Sequence, residues 1–105
     1  MIENKLNMNM SQNPVKVRKT SWSRSDSTLT KIYLIKDRKQ KESFIVEILK
    51  YMRESSCEIE FTCKKREVII LIRSLSPYIS ELEIECSSDL DKIKKDIMYY
   101  YASKE

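Results

Sequence analysis

Apolar residues are scattered and without period through the first thirty positions and become patterned only afterwards. Positions 31–36 (KIYLIK) form a short run of β-branched and aromatic residues bounded by charge, which predicts a strand buried on both sides. From 42 to 54 the apolar residues Phe44, Ile45, Ile48, Leu49 and Met52 recur at intervals of three and four, while Glu47, Lys50 and Arg53 take the other side. That spacing predicts an amphipathic helix, ended by Ser55 and Ser56. Positions 58–63 then alternate, with Ile59, Phe61 and Cys63 on one face and Glu58, Glu60 and Thr62 on the other, as in a half-buried strand. Strand, helix and strand in this order predict a βαβ unit with parallel neighbouring strands.

The next segment has two readings. VIILI at 68–72 suits a strand or a buried helix equally by composition. The charged KKRE before it, the acidic Glu67 and the stop at Pro77 favour a helix over 65–76. Alternation returns at 80–86, where Leu82, Ile84 and Cys86 face one way and Glu81, Glu83 and Glu85 the other, predicting a third strand. At the end of the chain Leu90, Ile93, Ile97 and Tyr100 match a helix, whereas Ile97, Tyr99 and Tyr101 match a strand. The expected fold is α+β, a two-layer βαβαβ core with a fourth strand or a C-terminal helix.

Charge divides the chain where the pattern does. Up to Lys41 there are ten bases against three acids, so this part is +7; the remainder, with ten bases and thirteen acids, is −3. The first thirty residues read as a disordered basic arm and 31–105 as one small domain, near the size at which a single core holds without a staple or a partner. A homodimer, or a heterodimer with a related subunit, is therefore expected. With no apolar signal core and no run long enough to cross a bilayer, the expectation is an intracellular protein, in nucleus or cytoplasm, without a membrane partner.

The chain has no His, so Ser-His and Cys-His constellations are excluded and an enzyme is not expected. No metal or other cofactor is expected either, because the three cysteines form no CxxC pair; Cys63 and Cys86 read as small hydrophobes on apolar strand faces. The absence of Gly excludes Gly-rich phosphate loops and dinucleotide fingerprints. Acidic positions on the strands, Glu58 and Glu60 with Glu81, Glu83 and Glu85, place repulsive charge on an open sheet face, which directs a polyanion elsewhere. Clustered cations attract phosphate whatever the base sequence, and here they cluster in the arm and near Lys36 to Lys41.

The stretch KIYLIKDRKQKESFIVEILKYMRESSCEIEFTC resembles the opening of Alba-domain proteins, with a short strand, a loop with adjacent bases, an amphipathic helix and a strand of the form EIxF. IILIRSLSPYISELEI resembles that family's second helix and third strand, so the resemblance covers roughly 31–86. It implies a dimerising two-layer fold that binds RNA or DNA without catalysis, as do eukaryotic relatives in ribonuclease P and MRP ribonucleoproteins. The family's paired loop bases match Arg38 and Lys39, joined by Lys41; Lys64, Lys65 and Arg66 would open the second helix, where N–H groups favour phosphate. Lys92, Lys94 and Lys95 match its basic hairpin only loosely. From the arm, Lys16, Arg18, Lys19 and Arg24 would add phosphate contacts, and Trp22 would stack on a base or dock on the domain.

Two other resemblances lead elsewhere. With VIILI as a strand, the order from Glu42 becomes helix, three antiparallel strands and helix, which resembles the small Alu-domain subunits of the signal recognition particle and moves RNA to the sheet. IEFTCKKREVIILIRSLSP resembles the small dimerising subunit of the KEOPS tRNA-modification complex, which implies a protein-interaction scaffold.

Overall fold

The structure, a computed structural model, describes residues 21–103. Its elements are β1 (Ser23–Ser25), β2 (Thr28–Leu34), α1 (Arg38–Glu54), β3 (Glu58–Cys63), β4 (Glu67–Arg73) and α2 (Glu81–Ser103). The fold is α+β, with one four-stranded sheet in the order β1-β2-β4-β3 and every pairing antiparallel.

This differs from the βαβαβ order expected. The helix favoured over 65–76 is instead β4, the longest-paired strand of the sheet. β-branched Val68, Ile69, Ile70 and Ile72 on both faces of EVIILIR suit a strand with neighbours on either side, and that packing outweighs a charged start and Glu67. The strand expected at 80–86 is the start of α2, because Ser80 and Glu83 begin a helix: Glu83 Oε1 accepts from the Ser80 N–H at 2.7 Å and from its Oγ at 2.6 Å. This is the reach-back half of a capping box. β2 and β3 are not neighbours, since β4 lies between them. α1 starts at Arg38 and not at 42, with Asp37 as its cap accepting from the Gln40 N–H at 3.0 Å.

The sheet also begins before the boundary drawn at 31. β1 pairs with β2 through Ser23↔Thr30 and Ser25↔Thr28, and the intervening turn uses Asp26 at φ 45°, the left-handed conformation that a chain without Gly leaves to Asp or Asn. Positions 1–20 of the expected arm lie outside the described residues.

Both helices cover one face of the sheet. Leu29, Tyr33 and Ile35 beside β4's Val68, Ile70 and Ile72, with Ile59 from β3, meet Phe44 and Ile48 of α1 and Cys86 and Leu90 of α2. The helices are antiparallel: Tyr51 donates to Asp89 at 2.7 Å near one end, and the Ser43 and Tyr101 hydroxyls lie 2.7 Å apart near the other. Cys57 and Cys86 form a disulfide that ties the α1–β3 link to α2, so Cys86 is no free thiol, and Cys63 is exposed.

Candidate functional site

β2 and β3 are each antiparallel to β4, so they run the same way and finish at the same end of the sheet. That end gathers the cations that the sequence singles out. The link after β2 carries Lys36, the first turn of α1 carries Arg38 and Lys39, and the β3–β4 turn carries Lys64, Lys65 and Arg66; all six are exposed. The two loops are joined. Lys41 Nζ donates to the Lys64 and Lys65 carbonyls at 2.6 and 3.0 Å, and the Ile35 N–H donates to the Arg66 carbonyl at 2.9 Å. With Asp37, Glu42 and Glu67 the only acids among 36–42 and 64–67, this end carries +4.

The geometry changes how it would hold an anion. Lys64, Lys65 and Arg66 stand in a hairpin turn, where Lys64 and Glu67 exchange main-chain hydrogen bonds at 2.8 and 3.4 Å, and not at a helix start. The first turn of α1 is already capped by Asp37, and Arg38 Nε pairs with Glu42 at 3.2 Å. Phosphate recognition at this end would therefore fall to side-chain ammonium and guanidinium groups and not to helix N–H groups.

Of the arm contacts, Lys16, Arg18 and Lys19 lie outside the described residues. Arg24 is exposed on β1, opposite Leu29 and away from the basic end. Trp22 docks: its Nε1 donates to the Asp91 carboxylate at 3.2 and 3.3 Å, and its ring meets Tyr33 edge-on, centroids 6.2 Å apart.

Asp91 is the centre of a cluster that sequence patterning does not reveal. Besides Trp22 it accepts from Lys31 Nζ at 2.8 Å and from the Tyr33 hydroxyl at 2.5 Å. Burial first, then the hydrogen bond and charge of Asp91, push the Tyr33 phenol far above its ordinary range. Lys94 Nζ lies 5.8 Å from the same ring, and burial, followed by the charge of Lys31, pulls its ammonium below the usual lysine value. The available signal was the spacing of Asp91, Lys94 and Lys95, which puts all three within one turn of a helix.

The face of the sheet away from the helices is open. Ile32 stands beside Ile69, Thr30 beside Leu71 and Leu34 beside Glu67, with Thr62 and Glu60 continuing the rows on β3. Ile32 and Leu34 are 43% and 57% exposed, and a groove of about 600 Å³ runs past them to Ser23. Of the acids expected here only Glu58 and Glu60 are present, Glu60 paired with Arg73 at 3.1 Å; Glu81, Glu83 and Glu85 belong to α2.

Among the described residues no His, Cys, Asp and Glu group could hold a metal ion, and no helix is long and apolar enough to cross a membrane. Comparison of the chain with protein-family models, with curated proteins and with solved structures finds no match.

Proposed function

We propose that this protein is a non-catalytic, dimerising scaffold subunit, as the resemblance to the small KEOPS subunit implies, and that it pairs with a second copy of itself through the open face of its sheet. One observation carries this reading: Ile32, Leu34, Ile69 and Leu71 form an apolar row on a face that neither helix covers. An antiparallel sheet tolerates water on one face when its outward positions are polar, and here the two central strands break that alternation. Of the charges flanking the row, Glu60 and Arg73 neutralise one another, and Glu58 and Glu67 stand at its ends. The stretch IEFTCKKREVIILIRSLSP forms β3, its turn, β4 and the start of the following loop, so the part that resembles the KEOPS subunit supplies Ile69 and Leu71 of the row. The Alba reading loses support, because the segments matched to its second helix and third strand are a strand and a helix.

A second reading is favoured by the Lys41 contacts, which hold two basic loops together: the same subunit contacts RNA or DNA phosphates through Arg38, Lys39, Lys64, Lys65 and Arg66. The two readings are compatible in a subunit of an RNA-handling assembly. Sedimentation velocity tests the first. The wild type is expected to be dimeric at tens of micromolar and Ile69→Arg monomeric with an unchanged circular dichroism spectrum. A wild type that stays monomeric at high micromolar concentration, or an Ile69→Arg protein that stays dimeric, overturns it.

A further inference from the structure

Around the edge of β2 from the open face lies a second hollow, of about 370 Å³, between that strand and α2. Its lining includes Lys31, Lys94 and Lys95 with the single acid Asp91, which gives it a formal charge of +2. Asp91 is occupied. It accepts from Trp22, Lys31 and Tyr33, chiefly through Oδ1, and among the described residues forms no ion pair with the lysines of α2. Lys94 and Lys95 form no ion pair among the described residues, whereas Lys92, on the same helix, pairs with Asp96. Lys94 is half-buried against the Tyr33 ring, which Lys31 also approaches, to 4.8 Å. Two ammonium groups sharing one ring and one carboxylate repel each other, and a third stands at the rim.

We propose that this hollow binds a nucleotide phosphate monoester, with Lys94 and Lys95 on the phosphate and the base against Met98 and the Leu34 edge. The charge decides the class of ligand. A monoester carries close to −2 near neutrality and matches the lining, whereas an internal phosphodiester carries −1. Lysines hold a phosphate as point charges and make no demand for the planar fork that a carboxylate selects. The apolar part of the lining, Ile32, Leu34 and Met98, offers a base an exposed apolar surface next to that charge. A free mononucleotide and the phosphorylated end of a strand present the same group, and the hollow is open to either. This assignment does not depend on the basic end, and it shares only Ile32 and Leu34 with the apolar row of the proposed dimer face.

Trp22 is the only tryptophan of the chain and is bonded to Asp91, so its fluorescence reports directly on the cluster. The titration uses the full chain with uridine monophosphate, with inorganic phosphate, and with a short oligouridylate bearing either a 5′-phosphate or a 5′-hydroxyl. Saturable change with uridine monophosphate or the 5′-phosphorylated strand is expected, and at least tenfold weaker binding of the 5′-hydroxyl strand. Lys94→Gln should weaken the response about tenfold or more, while Lys92→Gln, on the paired lysine, should stay within twofold, melting temperatures serving as the check on folding. Ile69→Arg should bind at least as tightly as the wild type, because Ile32 and Leu34 are shared with the dimer face, and a response kept in the monomer separates this site from dimerisation. Equal affinity for the two strand ends, equal affinity for inorganic phosphate and the mononucleotide, no response at millimolar nucleotide, or an unaffected Lys94→Gln protein overturns the assignment.

Discussion

Lys41 reaches across from the first turn of α1 and places its ammonium 2.6 Å from the main-chain carbonyl of Lys64. A cation spent on carbonyl groups contributes less to anion binding than its neighbours, but it fixes where they stand. Replacing Lys41 by Met removes this bond and the one to Lys65 while keeping the aliphatic stem. The expected cost is about 1 kcal/mol in a chemical melt, because the contacts are near the surface. Amide exchange at 64–67 should quicken more than exchange in β4. Unchanged exchange in the turn would show that the hairpin holds its position without Lys41.

At the basic end, Arg38→Ala with Lys39→Ala should weaken binding of structured RNA similarly across sequences. The salt dependence should flatten by about one unit of slope for each phosphate that the variant no longer neutralises. The paired control is Glu58→Gln with Glu60→Gln on the open face. Filter binding at two salt concentrations checks this, and equal affinity of wild type and the Arg38/Lys39 variant would leave the basic end without a role in binding.

Some elements are plain in the sequence and others are hidden, for a physical reason in each case. α1 and β3 are legible because each is amphipathic: Phe44 and Ile48 repeat at helical spacing, and Ile59 alternates with Glu58 and Glu60. β4 is not, because Ile69 and Leu71 make its open face apolar as Val68, Ile70 and Ile72 make its covered face, so the alternation of a half-buried strand is lost. α2 is misleading at its start, where Glu81, Leu82, Glu83, Ile84 and Glu85 alternate by chance; Ser80 with Glu83 three residues on is the stronger signal. The meeting of the two basic loops follows from two strands running the same way, although those strands are not adjacent. The spacing of Asp91 with Lys94 and Lys95 is legible, but its contacts are not, since Trp22, Lys31 and Tyr33 lie at least 58 residues away in sequence.

The Cys57–Cys86 disulfide closes a loop with a sequence separation of 29. Constraining the unfolded chain over that length is worth about 3–4 kcal/mol on the loop-entropy account. Cys57→Ser with Cys86→Ala should therefore melt well below the oxidised wild type, and reduction should bring the wild type down to the level of that variant. Cys63→Ser should leave the melt unchanged, because that thiol is exposed and unpaired. A melt of the wild type that ignores reductant would argue that the bond contributes nothing to stability.

Alkaline pH should weaken the fold through two tyrosines bound to aspartates of α2. Tyr51 is pushed up to about 12, by burial first and then by the hydrogen bond and charge of Asp89; Tyr33 is raised further by the same causes with Asp91. A phenol whose folded pKa lies above its unfolded value of about 10 contributes stability that is whole below pH 10 and declines as pH rises through the folded value. Lys94 acts in the opposite sense, since its lowered value means that the folded state loses that proton more easily than the unfolded chain, so Lys94→Met is the background in which to measure. In that background, urea midpoints are expected to hold steady up to about pH 9.5 and to fall between about pH 10 and 12. Absorbance in the phenolate band should show Asp89→Asn ionising one tyrosine earlier than its parent, by less than the full shift because burial remains. A urea midpoint that stays flat across that alkaline range, or an Asp89→Asn titration that overlays its parent, would contradict the Tyr51–Asp89 contact as a stabilising one.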